Sequence, residues 1–115
     1  MNFNEYQKRA SKTDYRSKKF EKKLMGNLLF YPTLGLVGEA GEVAEKVKKL
    51  FRDHECKVDA QFKENIKLEL GDILWYVAKL ARALGIPLEA VAQGNLKKIM
   101  SRKKRNMIHG NGDHR

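Results

Sequence analysis

Four acidic residues stand in two pairs of equal spacing: Glu39 and Glu42 in "GLVGEAGEVAEKVKKL" (residues 35–50), and Glu69 and Asp72 in "KLELGDILWYVAKL" (residues 67–80). A step of three keeps both members of a pair on one side of a helix. In each stretch that side lies beside the apolar stripe rather than opposite it. An ionised carboxylate next to a low-dielectric region is costly unless it is paired or holds a metal. Four that converge repel one another unless protons or cations offset them. Hard oxygen donors of this kind suit Mg²⁺, with Mn²⁺ as a substitute, rather than zinc. Magnesium commonly shares its ligands with substrate phosphates, which points to phosphate-ester or anhydride chemistry.

The elements that must position these carboxylates follow from apolar spacing of three and four, with little strand-like alternation. A first helix is expected to start near Asn2, because Asn2 and Glu5 have capping-box spacing and Phe3, Tyr6 and Ala10 share a face. "TDYRSKKFEKKLMGN" (residues 13–27) is charged, poorly patterned and read as a loop, with its basic 16–23 stretch mobile. A second helix runs from about Tyr31 to Arg52, with Pro32 tolerated in its first turn, and "DHECKVD" connects it to a third. The third spans about Ala60 to Leu84 and stops at Gly85, and Pro87 opens a fourth that reaches about Arg105. The tail "GNGDHR" holds too many glycines for helix. Short links between long amphipathic helices predict an all-α, antiparallel four-helix-type bundle. The chain is read as one domain, residues 1–115, with a core of about 28–105 and a flexible tail at 106–115.

At about 100° per residue, Ile66, Leu70, Ile73, Val77, Leu80 and Leu84 fall within roughly 40° of one line and mark the core stripe of the third helix. Glu69, Tyr76 and Asp72 lie to one side of it. Leu36, Val43, Val47 and Leu50 mark the stripe of the second helix, with Glu39 and Glu42 on one flank and Lys46 and Lys49 continuing it. Glu45 and Lys48 point away. Antiparallel packing then brings Glu39, Glu42, Glu69 and Asp72 to one edge of the bundle. In the fourth helix, Asn95, Lys98 and Arg102 flank a stripe of Leu88, Ala92, Leu96 and Ile99. An amide and two cations suit a phosphate chain or ribose, and Tyr76 and Trp75 offer aromatic faces to a base.

The formal charge of +10 sits at the ends. Residues 1–26 hold eight Lys or Arg against three acids, residues 97–115 seven against one, and the middle nine against ten. Such ends attract polyanions in general, whether nucleic acid, acidic membrane or nucleotide. No apolar run approaches the roughly 18 residues needed to cross a bilayer. Nothing has the pattern of a signal peptide, and the single cysteine, Cys56, fits a reducing compartment, so the expectation is a cytoplasmic protein without a membrane partner.

These residues resemble the MazG-type nucleotide pyrophosphohydrolases of the all-α NTP pyrophosphatase superfamily. The resemblance rests on Glu39-x-x-Glu42, on Glu69-x-x-Asp72 after a gap of 26 residues, and on "GNLKKIMSR" with Asn95 and Lys98 as an Asn-x-x-Lys. It covers residues 28–105 or so. It implies a helical core that forms dimers or tetramers, with pockets receiving residues from both subunits. It also implies Mg²⁺-dependent cleavage of an NTP or dNTP between the α and β phosphorus atoms, giving a monophosphate and pyrophosphate. By resemblance, Glu39, Glu42, Glu69 and Asp72 are the metal ligands and catalytic set. "RNMIHGNGDHR" is similar to a Gly-Asp-containing ending of some MazG-like proteins, which implies a tail folded over a pocket, presenting backbone N–H groups or Arg115 to phosphate.

The ordinary alternatives are concrete. A lone ExxE or ExxD is usually a solvated helix face; two of them, both beside the core, reverse that preference. Trp75 and Tyr76 serve equally well as core or interface residues. Asn95 has the alternative of capping or pairing within the bundle, and the site role is preferred. Lys46 and Lys49 suit pairing with nearby acids, His54, His109 and His114 lie in connectors or tail without zinc spacing, and Cys56 has no base beside it. The rival function is a catalytically inactive basic helical module that binds nucleic acid or protein. Acids facing inward repel phosphates when no metal is bound, so nucleic acid is the less favoured partner. A specialised nucleotide such as phosphoribosyl-ATP is a further alternative.

Overall fold

A computed structural model describes residues 1–14 and 28–113. The described residues form four α-helices: α1 (Phe3–Ala10), α2 (Phe30–Asp53), α3 (Ala60–Ala83) and α4 (Leu88–Lys104), with a 3-10 turn at Ser11–Thr13 after α1. Strand is absent among them. The expectations placed on residues 15–27, including the basic 16–23 stretch, and on His114 and Arg115 lie outside the described residues.

Each helix end has a local cause. The Asn2 side chain accepts from Glu5 N at 2.9 Å while Glu5 reaches back to Asn2 N at 2.9 Å, the reciprocal capping box that the spacing predicted. Asp59 caps α3 by accepting from Phe62 N at 2.7 Å. The α3 C-terminus closes as a Schellman turn: Gly85, at φ +68°, donates to Arg82 O and Ile86 donates to Ala81 O. Asn106, at φ +54°, ends α4 in the same way, with Met107 donating to Arg102 O.

The start of α4 is capped from outside. Pro87 offers no side-chain acceptor, and α1 supplies two: Gln7 Oε1 accepts from Leu88 N, and Asn4 Oδ1 accepts from Glu89 N, both at 3.2 Å. These N–H groups would otherwise be orphaned at a helix start. Gln7 Nε2 also donates to Ile86 O at 3.0 Å, so one side chain fastens α1 to the α3–α4 turn.

The long helices α2 and α3 pack along one another through the short 54–59 connector. Among the described residues the buried apolar ones are few: Leu50 and Pro32 on α2, and Ala78, Ala81 and Leu88 where α3 meets α1 and α4, with Tyr6, Leu74 and Val77 against them. The predicted stripes are therefore only partly covered within one chain. Leu50 and Leu88 are buried, and Leu36, Val43, Ile66, Ile73, Val77, Leu80 and Ala92 are half-buried. Val47, Leu70, Leu84, Leu96 and Ile99 stand exposed. Unrolling a helix shows which side is apolar, not which neighbour covers it.

Candidate metal centre

Glu39, Glu69 and Asp72 each present an oxygen, and the three oxygens lie within 4.8 Å of one another. The cause is the packing of α2 on α3: positions flanking each core stripe meet where the helices touch. Glu39 and Glu69 are half-buried, and Asp72 is exposed at the rim. Glu42, one turn along α2, stands outside this trio with its side chain 61% exposed.

Crowding has an electrostatic signature. Partial burial first, then the charges of Asp72, Glu69 and Glu42 and a hydrogen bond with Glu69, push the Glu39 carboxyl above the usual glutamate range. A Glu39 carboxyl that holds its proton more firmly is one offset for the accumulated charge. Lys46 is another: its ammonium lies 2.7 Å from Glu69 Oε1 and 3.7 Å from Glu42 Oε2. That hydrogen bond to Glu69 raises the Lys46 pKa. Lys49 turns away instead and joins Lys48 on Glu45.

Two further groups stand out around the site: Tyr6 feels its charge, and Lys79 lies among the aromatic residues beside it. Tyr6 of α1 is raised above the ordinary tyrosine value, first by burial and then by the charge of Asp72. Its only sequence signal was a place on the apolar face of α1. Lys79 pairs with Asp14 at 2.9 Å and sits 4.3 Å from the ring centre of Trp75 and 5.2 Å from that of Tyr31.

The aromatic candidates are anchored in the fold. The Tyr76 ring packs on Gly35 of α2 and lies 5.0 Å, edge-on, from Trp75 and 6.1 Å from Tyr31. Trp75 donates its indole N–H to Thr13 Oγ1 at 2.8 Å and walls a cavity of about 150 Å³ between α1 and α3, together with Gln7, Ser11, Asp14, Lys79 and Arg82.

The α4 flank is engaged elsewhere. Lys98 pairs with Asp113 at 3.2 Å, and the buried Arg102 donates through Nη2 to the carbonyls of Gly112 (3.2 Å) and Asp113 (2.8 Å). Lys98 first, through its hydrogen bond, and then Arg102 hold the Asp113 carboxyl below the usual aspartate range. Asn95 is exposed. Within one chain the structure thus brings Glu39, Glu69 and Asp72 together, while the ion pairs of Lys98 and Arg102 are with the returning tail.

Three convergent carboxylates between two helices, offset in part by one ammonium, form a hard-oxygen donor set suited to a divalent cation. Residues 32–107, which contain the whole set, match the MazG nucleotide pyrophosphohydrolase domain. The chain belongs to the MazG nucleotide pyrophosphohydrolase family. It is also 51% identical over 87 residues to the Gene 37 protein of Mycobacterium phage L5, covering 76% of each chain. No solved structure matches. The MazG match begins at Pro32, so α1, with Tyr6 and the capping residues Asn4 and Gln7, lies outside it. MazG proteins are all-α and act on nucleotides, in keeping with the helices and the acidic centre. No helix among the described residues is long and apolar enough to cross a membrane.

Proposed function

We propose that the protein is a Mg²⁺-dependent nucleoside triphosphate pyrophosphohydrolase, with Mn²⁺ able to substitute, converting an NTP or dNTP to its monophosphate and pyrophosphate. The observation that carries this reading is the meeting of Glu39, Glu69 and Asp72 oxygens within 4.8 Å at the α2–α3 contact of a MazG domain. These three, with Glu42 beside them, are the residues that would hold the ion. A divalent cation there neutralises phosphate charge and makes water a better nucleophile.

The chain's own groups do the rest. A carboxylate of the set accepts the proton of the water that attacks the α-phosphorus in line with the departing pyrophosphate. Lys98 and Arg102 offset charge on the phosphates, Asn95 bonds a phosphate or the ribose, and Tyr76 and Trp75 border the base. Lys98 and Arg102 are reached only after Asp113 yields them to a stronger anion.

A second copy of the chain completes this arrangement. Along α2, Val37, Ala40, Ala44, Val47 and Phe51 fall within about 80° of one another, on a face adjacent to the one packed on α3. Val37 is 66% exposed and Phe51 76%. Leu96, Ile99 and Met100 leave a similar face open on α4. Apolar area of this extent on a small domain marks an association surface. A homodimer or homotetramer would cover it and bring the α4 cations of one copy to the acids of another.

The test is a panel of common ribo- and deoxyribonucleoside triphosphates with Mg²⁺, all products being resolved, with Glu39→Gln alongside. Monophosphate with pyrophosphate, lost in the variant, is expected. Diphosphate with phosphate would place the cut elsewhere and refute the reading. Salt-sensitive binding of nucleic acid without any turnover would favour the rival module.

A further inference from the structure

One carboxylate of the acidic centre already holds a cation of the chain's own. Lys46 Nζ lies 2.7 Å from Glu69 Oε1, on a carboxylate whose side chain is only 17% exposed, and 3.7 Å from Glu42. Lys46 stands one turn after Glu42 on α2, so it is fixed to the same flank as two of the acids. We infer that Lys46 is a resident counter-ion of the metal centre, which holds the carboxylates together when no metal is bound and must withdraw when a divalent cation enters. This inference rests on the metal-centre reading and adds how that centre is regulated.

The physical case is competition for one oxygen set. Glu69 belongs to the trio whose oxygens lie within 4.8 Å, and the ammonium already bonds it. A divalent ion held by the trio and an ammonium on the same carboxylate repel at a few ångströms, and the partly buried setting screens them weakly. Four rotatable methylene bonds let Lys46 swing clear without any movement of α2. The chain therefore trades metal affinity for integrity of the metal-free site. The freed ammonium stays on the flank of the cluster, where an anionic substrate arrives.

Lys49 provides the control, because it carries the same charge on the same helix and pairs with Glu45 instead of the trio. Mn²⁺ alone is titrated into wild type, Lys46→Met and Lys49→Met by electron paramagnetic resonance, and each melting temperature is taken in chelator and in saturating Mn²⁺. Lys46→Met is expected to bind Mn²⁺ about tenfold more tightly, the worth of one partly shielded charge-assisted bond. It should melt below wild type in chelator, with the gap closing in Mn²⁺, while Lys49→Met keeps wild-type affinity. Lys46→Gln repeats the measurement where the methionine variant is poorly soluble.

Unchanged or weaker Mn²⁺ binding by Lys46→Met, or equal tightening by Lys49→Met, would overturn the inference and leave the metal centre standing. Absence of Mn²⁺ binding by wild type would overturn both together.

Discussion

The ring of Tyr76 lies on the backbone of Gly35, so closely that a β-carbon built on Gly35 would stand 2.1 Å from Cε1 and 2.3 Å from Cζ. Glycine at this point in α2 is what lets α3 approach with an aromatic side chain between the helices. Elsewhere in a helix, Gly→Ala stabilises by about 1 kcal/mol. Here the overpacking should reverse that sign, and Gly35→Ala should destabilise by about 1–3 kcal/mol. Adding Tyr76→Ala removes the obstacle, so chemical denaturation of both singles and the double should show strong non-additivity. Additive effects would mean that the ring does not rest on Gly35.

The Glu39 carboxyl gives a pH dependence of definite sign. Its folded pKa lies above its unfolded value, so the metal-free fold favours the protonated form. The stability this contributes is fully present below the usual glutamate range and is lost as pH rises through the elevated folded pKa. A metal needs the carboxylate, so Mn²⁺ affinity should climb through the same window. Thermal melts with chelator and Mn²⁺ titrations across mildly acidic pH check both slopes, and Glu39→Gln should flatten each of them.

Arg102 ties the tail to α4. It is 8% exposed, two carbonyls of the tail accept from Nη2, and its buried Nε has no partner among the described residues. Removing the tail after Ile108 strips these acceptors from a buried charge, and should cost about 1–3 kcal/mol in denaturant melts. Asp113→Asn keeps the carbonyl contacts and should cost much less, since that side chain is largely exposed. An equal loss in the two variants would place the anchor in the carboxylate rather than the backbone.

Gln7 is the fastener of α1. Its amide donates to Ile86 O and its oxygen caps Leu88 N. Gln7→Glu keeps the acceptor but replaces the donor with a carboxylate facing carbonyls, so it should destabilise more than its small change of shape suggests, by about 1–3 kcal/mol. Urea melts measure the loss, and a Gln7→Glu stability equal to wild type would mean that the amide donor does not fasten α1.

The helices were legible because their ends carry local signals: the Asn2–Glu5 box, Pro32 in the first turn of α2, and Gly85 at the α3 stop. The meeting of Glu39, Glu69 and Asp72 was legible because flank positions on two packed helices are fixed by periodicity. Other relationships depend on choices that periodicity does not encode. Lys46 had acids within reach on its own helix and takes Glu69 across the gap, a rotamer decision. Tyr6 comes under the charge of Asp72 through the docking of α1 on α3, which local spacing does not encode. The α4 spacing puts Lys98 and Arg102 on one flank but does not encode that they also hold the tail, which returns after a turn made by Asn106 in a left-handed conformation. Val47, Leu70, Leu96 and Ile99 fall on the apolar stripes yet stand exposed, because sequence marks an apolar face without naming the chain that covers it.

In the proposed reaction this carboxylate centre directs water to the α-phosphorus of a nucleotide. Hydrolysis of the preferred triphosphate in ¹⁸O-water with Mg²⁺, followed by mass spectrometry of both products, tests it in one experiment. One ¹⁸O in the monophosphate, unlabelled pyrophosphate, and no reaction with Asp72→Asn are expected. Label in the pyrophosphate, or turnover that survives Asp72→Asn, would contradict it.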